Sequence, residues 1–552
     1  MLKNIKLSYI SIGLACLFLI VSLIQIKGYF LTSYESKYVT SALFANSFLD
    51  ILKANIHGIN VFEGGPLYFL TVKLFIKIFG NASEFVVRMP SVLISFFTIL
   101  IFYFFTKNCV NNKYFSIISL LVFCLNISFL TFSSVSIPQI MASDFALISI
   151  LFGCYPLFSP DDPKKHWFFI GFWFFTFLVV FTDLFTAIVP VSVVLISYLL
   201  LKKFFDLIKP INFILGLFSV FLIVYNFQMI SYKVSENIPL FDYLLNPSNT
   251  QIPFYIYFKY FIGLFAGLMP WTILFISVFV LFFALLFKLI KNLIFDEISD
   301  ENKILLVSVN GFLISSLVFF LNHSFSNVIL ATSFASVSIG YIWFKFIVQD
   351  KYKAVINFSS AFLFGITLLL AVSTIVIYFF IDTSLKPYFE PLLVPLIAIT
   401  LLVSVPGFIV VVLDKKILNF SVHILFSLIF YFILTNVLFD YLNSFGENEL
   451  ITYAYRARDN VTKLATYDLK NKYVIPYYFG DIVEFNDKLS NVEIFQKYGE
   501  TYDIRIIMRI KSLEEFDKNF VYELLESGKD YCVVTNIKLL PPDFKKEINT
   551  NS

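Results

Sequence analysis

About thirteen apolar runs, each near the length that crosses a lipid bilayer, fill the first 440 residues of this chain, at roughly 7–28, 89–106, 114–133, 139–158, 167–182, 184–201, 211–230, 260–287, 304–322, 326–344, 355–380, 388–413 and 417–440. A hydrocarbon core about 30 Å thick takes about 20 residues of helix to cross. Lipid offers no partner to backbone N–H and C=O groups, so each run must satisfy its own backbone as a helix. Hydrophobic residues make up 59% of the chain and charged residues only 14%, against roughly a quarter charged in soluble domains. A polytopic α-helical membrane protein is expected. Its 72 Phe and 31 Tyr suit lipid-facing surfaces and interfacial belts. A net charge of +3, with Lys and Arg dispersed along the chain, is no nucleic-acid footprint.

The fifth and sixth runs form one stretch of about 35 apolar residues, interrupted only by Thr182 and Asp183. A single helix of that length would exceed the bilayer, so a tight hairpin is predicted, with Asp183 as a solvated turn residue. Lysines set the orientation. With the N-terminus cytoplasmic, seventeen lie on the inner side, from Lys3 and Lys6 to Lys415 and Lys416, whereas the short outer loops hold only Lys233, Lys259 and Lys386. An odd number of crossings then places the C-terminal tail outside. Residues 7–28 resemble a signal peptide, but the run is long and lacks a small-residue cleavage site, which predicts an uncleaved anchor.

Near residue 441 the composition changes, with 15 Lys and Arg and 18 Asp and Glu in the last 112 residues. Residues 1–440 are thus expected to form the membrane domain and 441–552 a soluble, extracytoplasmic α/β domain. YVIPYYF, VEIFQKY, DIRIIMRI and DYCVVTN are predicted as strands, and LEEFDKNFVYELLES as a helix. Cys532 is the domain's only cysteine, so no disulfide framework is available to it.

Polar chemistry in so apolar a chain falls to few residues, and the first outer loop, 29–88, holds several. It carries YESKY at 34–38, EGGPLY at 63–68 and GNASEFVVRMPS at 80–91. Residues 36–53 and 67–79 have near-helical apolar spacing and suit helices lying in the interface or packed on the bundle. Glu35 and Glu63 stand at the N-terminal approaches to these helices.

These segments resemble the GT-C membrane glycosyltransferases of the aminoarabinose transferase (ArnT) and protein O-mannosyltransferase superfamily. That family opens its first outer loop with Asp-Glu, a basic residue and Tyr, continues to Glu-Lys-Pro-Pro-Leu-Tyr, and closes with Gly-x-Ser-Glu-Phe-x-x-Arg-Leu-Pro-Ser. MASDFALISILF with Asp144, IPFYIYFKYFIGLFAGLMPW at 252–271 and the tail segment YVIPYYFGDIVEFNDKLSNVEIF are similar to further family segments. The resemblance implies a GT-C fold of about thirteen helices and transfer of a single sugar from a polyprenyl phosphate to an envelope acceptor. It implies Glu35 and Asp144 as catalytic residues, and Lys37, Glu63, Tyr68, Arg88, Tyr255 and Lys259 as substrate-binding. The chain departs from the pattern at Tyr34, in place of the first Asp; at Gly64, in place of Lys; at Asp183-Leu184, in place of Lys-Gly; and at NHSFSN, 322–327, which lacks the family's lysine.

Such chemistry needs cations on the departing lipid phosphate and a carboxylate facing sugar or acceptor. A hydroxyl acceptor also calls for a general base, whereas the phosphate of lipid A is already ionised. Loss of the first Asp therefore leans toward a lipid A phosphate acceptor in a bacterial inner membrane, with the site on the periplasmic face. Protein O-glycosylation is the alternative. Each residue also has a plainer role: Glu35 as a helix N-terminal charge, Arg88 as a snorkelling anchor, Tyr255, Tyr257 and Lys259 as interfacial anchors. Asp144 lies inside an apolar run, where an ionisable group is by default functional or paired. His57 and His323, without a second ligand at metal spacing, predict no protein metal site; use of a divalent ion stays open. No P-loop or Rossmann glycine pattern appears, which fits a lipid-borne donor. The competing class is a transporter or flippase, which would commonly show internal repeats and charges at the midplane. A pseudoenzyme binding a polyprenyl lipid is a third.

Overall fold

The computed structural model describes residues 7–25, 31–45, 65–110, 112–159, 162–208, 213–222, 255–291, 299–322, 324–380, 393–395, 397–433, 450–451, 463–469, 474–479, 483–485, 504–513, 522–528 and 530–535. The chain divides into two compact units, Met1–Gly28 with Ala45–Val437, and Tyr29–Phe44 with Leu438–Ser552.

The first unit is helical. Among the described residues, seven helices are long and apolar enough to cross a membrane: Glu84–Cys109, Pro138–Phe158, Asp300–Leu321, Phe325–Gln349, Lys353–Phe380, Leu393–Val412 and Lys416–Ile433. A bent pair makes up to eight. That pair corrects one expectation. The run 260–287 is not one straight crossing: helices Tyr255–Gly267 and Thr272–Lys291 meet at a bend of 104°. Pro270 stands in the break, and its missing N–H and ring prevent the first helix from continuing.

Helix Phe325–Gln349 is the centre of this unit, buried along most of its length, whereas Lys353–Phe380 is mostly exposed. The difference is written in side-chain size. Ser333, Ala335, Ser336, Ser338 and Gly340 give the first helix a surface on which neighbours can sit closely, while Phe358, Phe362, Leu369 and Phe379 of the second are exposed. A Cβ on Gly340 would lie 2.8 Å from Ser119 Cα of helix Lys113–Cys124, so that crossing requires glycine. Hydroxyls bridge the contacts: Ser308 and Ser338 Oγ are 2.7 Å apart, and Asn126 Nδ2 donates to Ser336 Oγ at 2.6 Å.

The second unit contains a five-stranded mixed sheet in the order β2-β1-β3-β5-β4, with β1 Lys463–Tyr467, β2 Val483–Phe485, β3 Ile504–Arg509, β4 Glu523–Ser527 and β5 Tyr531–Thr535. β1 pairs in parallel with β2 and β3; β5 runs antiparallel to β3 and β4. β5 is buried on both faces, Tyr531 and Val533 against Leu464, Ile475 and Ile507, Cys532 and Val534 against Ala465, Ile506 and Met508. Burial pushes the Cys532 thiol up to about 11, so it is no thiolate nucleophile near neutral pH.

Two sequence expectations are corrected here. YVIPYYF is not a strand; Val474–Phe479 is a short helix. Pro476 cannot donate to a ladder but is tolerated in a helix's first turn, whose N–H groups have no intrahelical acceptor. In LEEFDKNFVYELLES, residues 523–527 form edge strand β4 because β5 supplies a partner, and pairing overrides helical spacing. DIRIIMRI and DYCVVTN contain β3 and β5 as expected; VEIFQKY lies outside the described residues.

Candidate functional site

Three of the expected site residues fall on one polar stripe of the first unit. Pro66 opens helix Pro66–Phe79 at a position where its missing N–H costs nothing, and Gly80, at φ 70°, closes it. Tyr68 is thereby held in the first turn. Its hydroxyl donates to the Ser136 carbonyl at 2.8 Å and lies 2.9 Å from Ser136 Oγ, which in turn donates to the Val87 carbonyl at 2.6 Å. Arg88, the next residue, is fully buried. Ser91 and Ser95 follow Arg88 on the same helix face at i+3 and i+7, and Ser95 Oγ donates to Asp144 Oδ2 at 2.6 Å. Asp144 is 3% exposed. The stripe from Tyr68 through Arg88 to Asp144 thus joins helices Pro66–Phe79, Glu84–Cys109 and Pro138–Phe158.

Glu35 and Lys37 belong to the second unit. Glu35 is fully buried in the first turn of helix Ser33–Phe44. Its Oε2 accepts from Thr32 N at 3.0 Å and Thr32 Oγ1 at 3.2 Å, while Glu35 N donates to Thr32 Oγ1 at 3.2 Å. That reciprocal pattern is a capping box, and its signature, TSYE at 32–35, is readable in the sequence. Lys37 is half-buried, with Nζ 5.7 Å from the Tyr38 ring centroid. Glu63 lies outside the described residues. Tyr255 and Lys259 sit on helix Tyr255–Gly267, and their side chains lie outside the described set.

Asp183 is the clearest correction. It is not a solvated turn residue: it is 2% exposed, and its Oδ2 accepts from Thr186 Oγ1 at 2.8 Å, Ser324 Oγ at 2.6 Å and Ser326 Oγ at 2.6 Å. Three hydroxyls, two of them some 140 residues away in sequence, supply the bonds that water would otherwise make. The same hairpin accepts from the first loop, Gly65 N to the Thr182 carbonyl at 2.8 Å and Leu67 N to the Phe181 carbonyl at 3.0 Å. A Cβ on Gly65 would stand 2.1 Å from the Phe181 oxygen, so this approach requires glycine. EGGPLY, the hairpin and NHSFSN, three of the segments that depart from the family pattern, therefore meet in one place through Gly65, Asp183, Ser324 and Ser326. Among the described residues, no group of three or more His, Cys, Asp or Glu is placed to hold a metal ion.

Two solved structures share this architecture along almost its whole length. ArnT from Cupriavidus metallidurans bound to undecaprenyl phosphate matches with a TM-score of 0.73 at 12% identity, covering 97% of this chain and 99% of that one. The chain has the ArnT fold. The same protein in its apo state matches with a TM-score of 0.69 at 12% identity and the same coverage. No protein-family model and no curated protein matches the sequence. The resemblance read from short motifs therefore extends, as an ArnT-like fold, from the first helix through the C-terminal sheet.

Proposed function

We propose that this protein transfers a single sugar from a polyprenyl phosphate carrier to a cell-envelope acceptor, with lipid A phosphate as the leading acceptor. The observation that carries the reading is the near full-length likeness to an ArnT crystallised with undecaprenyl phosphate, in a chain whose first loop keeps Glu35, Tyr68 and Arg88. In this reading Glu35 and Asp144 are the catalytic carboxylates. Lys37, Glu63, Tyr68, Arg88, Tyr255 and Lys259 bind substrate, with Arg88 offering the lipid phosphate a desolvated, charge-assisted partner. Mass spectrometry of lipid A from a deletion strain tests it: a sugar-modified species should vanish and return on complementation. An unchanged spectrum under conditions of expression would move the acceptor to protein or another glycan.

The reading includes thirteen crossings of a bacterial inner membrane, an inner N-terminus and an outer C-terminal domain. In support, Gly13–Ile24, Lys113–Cys124, Lys165–Val180, Ile188–Leu200 and Phe213–Leu222 are shorter apolar helices. With the longer ones and the bent pair, they place a helix at every predicted run. A periplasm-active reporter fused at residue 500 should be active; a cytoplasm-active one there would overturn the topology.

One observation favours a second reading. Where the resemblance expects lysine, Asp183 is buried and occupied by three hydroxyls, and such a carboxylate repels phosphate. A polyprenyl-lipid-binding protein without transferase activity would fit that substitution. It would bind undecaprenyl phosphate yet leave lipid A, protein and glycan profiles unchanged on deletion.

A further inference from the structure

We propose that the C-terminal domain is a working part of the transferase, because Tyr478 holds the first-loop segment that orients Glu35. The inference rests on the reading of Glu35 as a catalytic carboxylate.

The segment Tyr29–Phe44 forms one compact unit with Leu438–Ser552, although some 400 residues separate them in the chain. Helix Ser33–Phe44 packs on helix Val474–Phe479, and Tyr478 Oη accepts a hydrogen bond from Leu31 N at 3.0 Å. Leu31 is fully buried. The next peptide N–H, that of Thr32, donates to Glu35 Oε2. One short path of hydrogen bonds and covalent geometry therefore runs from the Tyr478 ring to the Glu35 carboxylate. At the other end the path is anchored: Ile475, one helical turn before Tyr478, is fully buried among Leu450, Leu464, Ile507 and Val533, and the Tyr478 ring packs on the same cluster. The sheet thus fixes the short helix, the short helix fixes Leu31, and the capping box fixes Glu35. Tyr478 is a positioning residue, since it touches neither donor nor acceptor in this reading. A carboxylate displaced by about 1 Å can lose on the order of 100-fold in rate, so a contact this remote can govern turnover.

The test uses the full-length protein in nanodiscs, as wild type and as Tyr478→Phe, which keeps the ring and removes the hydroxyl. Hydrogen exchange at the Leu31 and Thr32 amides should quicken about five-fold, the effect of losing one hydrogen bond, while exchange in β3 and β5 stays unchanged. In a deletion strain the variant should restore no more than about a fifth of the wild-type sugar-modified lipid A. Its affinity for undecaprenyl phosphate should stay within about two-fold of wild type, whereas general misfolding would lower that too. Tyr478→Ala should reduce transfer further. Unchanged exchange in Tyr478→Phe would overturn the docking. Faster exchange with full transfer would overturn the positioning role. Faster exchange with no product from the wild type, on lipid A or elsewhere, would instead overturn the transferase reading and the role for Tyr478 that rests on it.

Discussion

Glu35→Gln should lower sugar transfer by about 100-fold to 1,000-fold, the range that one preorganised electrostatic group contributes at a transition state, while leaving the fold intact. The separation of these effects comes from the capping box. Glutamine serves at the third helical position as glutamate does, so the amide oxygen can still accept from Thr32 N, and helix Ser33–Phe44 keeps its first turn. What is lost is the negative charge that faces sugar and acceptor. Thermal unfolding and undecaprenyl phosphate binding should therefore match the wild type while modified lipid A disappears. A variant that transfers at the wild-type rate would reduce Glu35 to a helix cap and leave Asp144 as the carboxylate to test.

Asp183→Ala should produce the largest loss of stability, on the order of 3 kcal/mol. Hydrogen bonds to charged groups contribute about 1.5–3 kcal/mol each, and Asp183 Oδ2 accepts three. Part of the loss is recovered because Ser324 and Ser326 Oγ already lie 2.7 Å apart and can pair. Asp183→Asn keeps an acceptor oxygen and should lose only about 1 kcal/mol. Because the hairpin also receives Gly65 N and Leu67 N, the alanine variant should loosen the start of helix Pro66–Phe79 and depress transfer with it. Melting curves in a fixed detergent decide the matter: an alanine variant as stable as wild type would mean that the cluster is incidental to the fold.

The one-dimensional pattern determined a good deal. Helices at the apolar runs followed from lipid's inability to satisfy a backbone, and the composition break near 441 marked the charged C-terminal region because charge density needs no partner to be counted. The ends of helix Pro66–Phe79 were legible in Pro66 and Gly80, and the capping box at Thr32 and Glu35 in TSYE, since these are local dihedral and hydrogen-bond preferences. Tertiary structure decided the rest. Asp183 reads as a turn residue until Ser324 and Ser326, some 140 positions away, arrive to replace water. Gly65 looks like an ordinary loop glycine until the Phe181 carbonyl occupies the place of its Cβ. YVIPYYF has strand composition, yet Pro476 and the neighbouring strands leave it a helix. The grouping of residues 29–44 with the C-terminal sheet has no signal in either segment. Burial and pairing across hundreds of residues depend on which surfaces meet, and no local preference along the chain records that.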